Sequence, residues 1–207
     1  MAHTTNRITY LDGLRGLAAT LVVIHHMMIG FYPSTYTVDS ETMHTAGGVE
    51  RVLHNTPLGI GINGGFAVAI FLVLSGYVVG ISAEKITTYR SVVKSVITRW
   101  WRFWLPILVT HLLAGGVLYL GWDWNHEAAV VSGSHWWLGA MWRMEPSIGE
   151  AVRQAFFALF RMYPLDQVYN SSTWTMPFFF LGPIGLMGVM AVVKKPWMRT
   201  VVLAGLL

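Results

Sequence analysis

Four stretches of this chain are long and apolar enough to cross a bilayer, and that excludes most other ways of folding it. A spanning helix needs about 20 mostly apolar residues. Leu14 to Tyr32, a run within Gly59 to Ser82, Trp104 to Trp122, and Met176 to Val193 meet that need. In hydrocarbon each backbone N–H and C=O must find its partner within the protein, which a helix achieves by itself. The predicted class is therefore all-α: a polytopic transmembrane helix bundle of about four complete spans plus a truncated fifth. The fifth starts near Met198 and reaches Leu207 after VVLAGLL, too short for about 30 Å at 1.5 Å per residue. The chain is thus read as a single partial membrane domain, 1–207, the front part of a longer fold. With 54% hydrophobic and 12% charged residues, it departs from the roughly one-quarter charged composition of soluble domains.

The charges between the runs set an orientation, because Lys and Arg near helix ends are retained on the cytoplasmic side. Arg7 and Arg15 precede the first span; Lys85, Arg90, Lys94, Arg99 and Arg102 fill the second link; Lys194, Lys195 and Arg199 fill the fourth. The first link instead carries Asp39, Glu41 and Glu50 against Arg51, and the third is also acid-rich. This alternation predicts a multi-pass protein with its N-terminus cytoplasmic, in an organelle the sequence does not name. It also explains the net charge of +4 without nucleic acid, since the basic residues lie between spans and not along one polar face. With no cysteine, disulfides and thiolate metal sites are excluded, and no metal is expected. The third link, Asp123 to Thr173, contains AVRQAFFALFRM, where Ala151, Ala155, Phe156 and Leu159 recur at helical spacing; this predicts an interfacial helix. SHWWLGAMW before it either lies at the headgroups or re-enters the bilayer.

Ionisable groups inside a span are costly and by default face a protein interior or a watery cavity. The first span holds Arg15, His25 and His26. At about 100° per residue, Arg15 and His26 fall about 20° apart around the helix and His25 about 80° off, so His26 is the better partner for Arg15 in a shared cavity. The rival reading is a structural histidine that hydrogen-bonds between helices. In TRWWRFWLP, Arg99 and Arg102 lie about 60° apart at the start of the third span and point one way. Such a guanidinium pair suits phosphate, although basic and aromatic residues at a helix start also simply anchor spans.

Read in order, ITYLDGLRGLAATLVVIHH at 8–26, IFLVLSGYVVG at 70–80 and RWWR at 99–102 resemble the acyltransferase 3 family of membrane proteins. That family typically opens with Leu-Asp-Gly-Leu-Arg-Gly-Leu-Ala and an Arg followed after ten residues by His, here Arg15 and His26. It continues with Leu-Ser-Gly-Tyr, here Leu74 to Tyr77, and an Arg-x-x-Arg, here Arg99 and Arg102. A Trp-Thr-x-Pro-x-Glu stretch of fungal-looking members is echoed by Trp174 to Pro177, with Phe179 at the acidic position. The resemblance implies an acyltransferase transferring groups other than aminoacyl groups: acyl, often acetyl, from acyl-CoA (acetyl-CoA) to a hydroxyl of a sugar, lipid or secondary metabolite, the chain working within the lipid bilayer. It implies His26 and Arg15 in the catalytic site, with His26 as general base, and Arg99 and Arg102 on the cofactor's phosphates. An inactive, truncated member is the alternative. A transporter is a third reading, opposed by the lack of intramembrane carboxylates and of an internal repeat.

Overall fold

The computed structural model describes residues 9–45, 47–83 and 88–193. Arg7, Lys85, Lys194, Lys195, Arg199 and the fifth apolar run from Met198 lie outside the described residues. Among the described residues every regular element is helical: α1 (Thr9–Phe31), α2 (Ser34–Thr37), α3 (Val49–Asn55), α4 (Gly64–Ala83), α5 (Tyr89–Tyr119), α6 (Asn125–Ser132), α7 (Ile148–Phe157) and α8 (Met176–Val192), with short 3-10 turns at Pro57–Ile62, Leu138–Ala140 and Ser171–Thr175. The all-α expectation holds. Three of these helices, α1, α4 and α5, are long and apolar enough to cross a membrane. The fourth expected span, α8, has 17 residues, about 25 Å of helix.

The spans begin and end where local chemistry allows, which differs from where hydropathy changes. Helix α1 is already formed at Thr9, the first described residue, five residues ahead of the expected Leu14. Asn63 caps α4, its Oδ1 accepting from the Phe66 N–H at 2.9 Å. The largest shift is in α5, which begins at Tyr89 and not at Trp104. Thr88 and Ser91 form a capping box there, so the basic stretch expected as a link is the first half of a 31-residue helix. Its far end is a Schellman turn: Gly121 has φ +67°, with Gly121 N–H donating to Leu118 and Trp122 N–H to Val117.

The chain divides into two compact units, Met1–Leu74 with Trp124–Met141, and Ser75–Asp123 with Trp142–Leu207. In the first, α1 packs on the 57–62 turn and on α6. Ser134 Oγ donates to the Ile29 carbonyl at 2.8 Å, and His44 Nε2 meets the Ser132 carbonyl at 2.8 Å. Buried Glu50 closes the loop before α3, accepting from the His44 N–H at 2.8 Å, the Thr45 N–H at 3.1 Å and the Thr45 hydroxyl. In the second unit α7 packs along α5. Ala155, Ala158 and Leu159 join Ile107 and Phe180 in one core cluster, and Leu118, Ala151 and Tyr169 form another. The predicted amphipathic helix at Ala151–Met162 is α7, shifted three residues earlier by Ser147, which caps the Glu150 N–H. Helices α2, α3 and α6 were not foreseen; each is eight residues or fewer, too short to hold without tertiary contacts.

Candidate functional site

Both histidines of α1 are gripped through Nδ1 by a carbonyl oxygen. His26 Nδ1 lies 2.7 Å from the Val22 carbonyl one turn back. His25 Nδ1 lies 3.1 Å from the Ile62 carbonyl and 2.8 Å from the Tyr36 hydroxyl. A carbonyl can only accept, so each neutral ring carries its proton on Nδ1 and its lone pair on Nε2. That is the tautomer a general base needs. Tyr36 donates its own proton to the Ile62 carbonyl at 2.7 Å, which leaves the phenol oxygen to accept from His25. Burial pushes the Tyr36 hydroxyl up to about 12, so it stays protonated in this bond throughout the physiological range.

The two rings differ in how closely they are walled. Gly64, buried at the start of α4, lies against the His25 ring: a Cβ there would stand 2.6 Å from Cγ and 2.8 Å from Nε2. Glycine at 64 is what lets the backbone approach the imidazole. His26 is half-buried, its ring centroid 5.9 Å from that of Trp137 and 5.3 Å from that of His25. Both rings are half-buried, and His25 alone is also hydrogen-bonded to a side chain, the Tyr36 hydroxyl. Because α1 is helical throughout, Arg15 does share a stripe with His26, but eleven residues separate them by about 16 Å along the axis. Arg15 instead pairs with Asp12 at 3.1 Å. The structure keeps the two predicted residues on one face and does not bring their side chains together.

In the second unit Arg99 turns inward. Its Nη2 donates to Ser75 Oγ at 2.9 Å and to the Phe179 carbonyl at 2.8 Å, and its Nε donates to the same carbonyl at 3.2 Å. The guanidinium carbon stands 5.2 Å from the Phe103 ring centroid, within cation–π range. One arginine thus ties α4, α5 and α8 together. Arg102, one turn on, is exposed. The expectation that both point one way is corrected: a 60° difference around α5 separates the face packed on α4 and α8 from the outer face. Both also lie mid-helix, not at a helix start.

Sequence reasoning missed Tyr36 and the hydroxyl role of Ser75. The signal for Ser75 was present in the pairing of Leu-Ser-Gly-Tyr with Arg-x-x-Arg; no spacing rule marks Tyr36. It also passed over His111, fully buried in α5, with Nδ1 on the Ile107 carbonyl at 2.9 Å and Nε2 without a partner among the described residues. An intramembrane histidine was itself the signal.

Compared with known families, the chain matches the acyltransferase 3 model, described as an acyltransferase domain, over residues 8–207. No curated protein and no solved structure matches it. The match covers the first histidine-bearing helix and the arginine-bearing helix alike, and with three helices of membrane-crossing length it makes this chain a member of the acyltransferase 3 family, a membrane acyltransferase.

Proposed function

We propose that the chain works as a single multi-pass membrane domain, N-terminus cytoplasmic, that moves an acyl group from acyl-CoA to a hydroxyl, with His26 as general base. The observation that carries this is the Nδ1 grip of Val22 on His26, which puts the ring's lone pair on Nε2. His26 Nε2 takes the proton of the acceptor hydroxyl as its oxygen attacks the thioester carbonyl. The tetrahedral adduct expels the CoA sulfur, which recovers that proton from the imidazolium, giving ester and free CoA. Arg102 supplies a guanidinium to the donor's phosphates. Arg99 adds its Nη1, which makes no hydrogen bond among the described residues, while the rest of its fork holds α4 and α8. Arg15, paired to Asp12, lies on the His26 stripe about 16 Å away along α1.

Membranes carrying the chain, supplied with acetyl-CoA labelled in the acetyl group, are expected to accumulate labelled ester, and His26→Ala to reduce it by about 100-fold or more. Equal labelling in wild type and variant overturns the assignment. The rival, an inactive member, draws on Phe179 at the acidic position: what meets Arg99 there is a main-chain carbonyl, not a carboxylate. Absence of label above empty membranes would favour it.

A further inference from the structure

A histidine that takes a proton becomes a cation, and catalytic triads steady that cation with a buried carboxylate on Nδ1. Here the Nδ1 partner of His26 is the neutral Val22 carbonyl, and no carboxylate is hydrogen-bonded to either histidine of α1 among the described residues. Resting on the general-base reading of His26, we propose that the π-cloud of Trp137 supplies what the carboxylate would, which makes Trp137 a positioning residue acting through His26. The two ring centroids are 5.9 Å apart, with the planes tilted by 48°. That is within the roughly 6 Å over which an aromatic ring attracts a cation, and tryptophan does so best.

The segment that carries the indole is fastened to α1 one turn beyond His26. Ser134 Oγ, fully buried, donates to the Ile29 carbonyl at 2.8 Å. The Leu138 side chain comes within 3.8 Å of the place a Cβ on Gly30 would take. Gly30 is four residues from His26 and about 40° from it around the helix, so the segment crosses the histidine's own side of α1. Asn125 ties it to α6, its Nδ2 donating to the Leu138 carbonyl at 2.8 Å and to the Met141 carbonyl at 3.1 Å. The Trp137 N–H donates to the Ser134 carbonyl at 3.3 Å. Bonded residues thus hold Trp137 from before and after, and its placement is paid for in folding and costs no reorganisation during the reaction. Because the imidazolium exists only once the proton moves, its attraction to the indole raises kcat and leaves KM alone.

The test supplies membranes carrying the full chain with acetyl-labelled acetyl-CoA over a range of concentrations. Trp137→Leu is expected to lower the maximal rate of label transfer about fivefold, with the KM for acetyl-CoA unchanged, and Trp137→Phe to fall between. Since losing the indole also loosens packing, mono- and tetrafluorotryptophan placed at position 137 form a second arm. They keep the ring and nearly its size while withdrawing its π-density, and the rate is expected to fall stepwise with fluorination. Trp136→Leu, at the exposed neighbouring position, is expected to leave the rate unchanged. With transfer lost in His26→Ala, a wild-type rate in Trp137→Leu or in the tetrafluoro form, or an equal fall in Trp136→Leu, overturns this inference alone. Transfer that survives His26→Ala, or is absent from the wild type, overturns it together with the general-base reading.

Discussion

In the first unit most fully enclosed side chains of the links are polar, Ser34, Thr35, Glu50 and Ser134 beside Pro33, whereas the second unit encloses Ala151, Ala155, Ala158 and Leu159 together with two polar rings, His111 and Tyr169. The first closes by satisfying hydrogen bonds across loops, as Glu50 does with three donors around His44 and Thr45. The second closes by letting small residues of α7 lie flat on α5, the device helices use when lipid removes the hydrophobic drive for association. The difference bears on function. A unit closed by polar groups can keep an imidazole in a chosen tautomer, as Ile62 and Tyr36 do for His25. A unit closed by packing must supply acceptors to any charge it admits, and Arg99 donates to a carbonyl and a hydroxyl, with no carboxylate bonded to it among the described residues.

The sharpest way to break this contrast is Arg99→Ala, which leaves the Phe179 carbonyl and Ser75 without their donor. Losing charge-assisted bonds and stranding a carbonyl costs about 3 kcal/mol, read as lower thermal stability in nanodiscs. Arg102→Ala is expected to leave stability unchanged and to raise the KM for acetyl-CoA. Equal stability of the two variants would mean that Arg99 is no clamp. Ala155→Leu comes next: with no exposed surface at this position, the larger side chain pushes α7 from α5 at about 2 kcal/mol. The same experiment in the first unit, Ala129→Leu on α6, tests whether a hydrogen-bonded unit tolerates overpacking better; an equal loss erases the distinction.

How much of this was legible beforehand follows the same divide. Membrane helices were legible because burial in lipid is written in each run's own composition. The start of α5 was not, because hydropathy registers Lys94 and Arg99 as a break while the backbone registers Thr88 as a cap and continues. The stripe shared by Arg15 and His26 was readable from angle alone, but angle ignores rise, and the three turns between them hand Arg15 to Asp12 instead. Arg99 could be named from its motif, yet its inward direction depends on a main-chain carbonyl at 179, which no residue identity encodes. Tyr36 is similar: its role exists only because the 57–62 turn brings Ile62 to it. The short helices of the links were illegible because their stability lies in contacts, not in propensity.

Tyr36→Phe tests the polar closure at smaller scale. It removes one donor to Ile62 and one acceptor for His25, but His25 can still donate to the Ile62 carbonyl, so the expected loss is about 1 kcal/mol. A loss as large as that of Arg99→Ala would show that the phenol, not the carbonyl, holds the ring.

The smallest effect lies at the surface of the second unit. Glu150 accepts from Arg153 at 2.6 Å and 2.7 Å, and those bonds, then that from Gln154, hold its carboxyl below the usual carboxylate range. A carboxyl lowered in the folded state adds stability that is fully present above its unfolded pKa and is lost as pH falls through its folded one. Glu150→Gln is therefore expected to lower the unfolding temperature slightly at pH 7, with the gap to wild type closing below about pH 4. Because the pair is solvent-exposed, 1 M salt should narrow the same gap at pH 7. A gap that persists in both acid and salt would assign the residue's contribution to packing against Gln154 rather than to charge, and would place even the rim of this unit under the rule that governs its core.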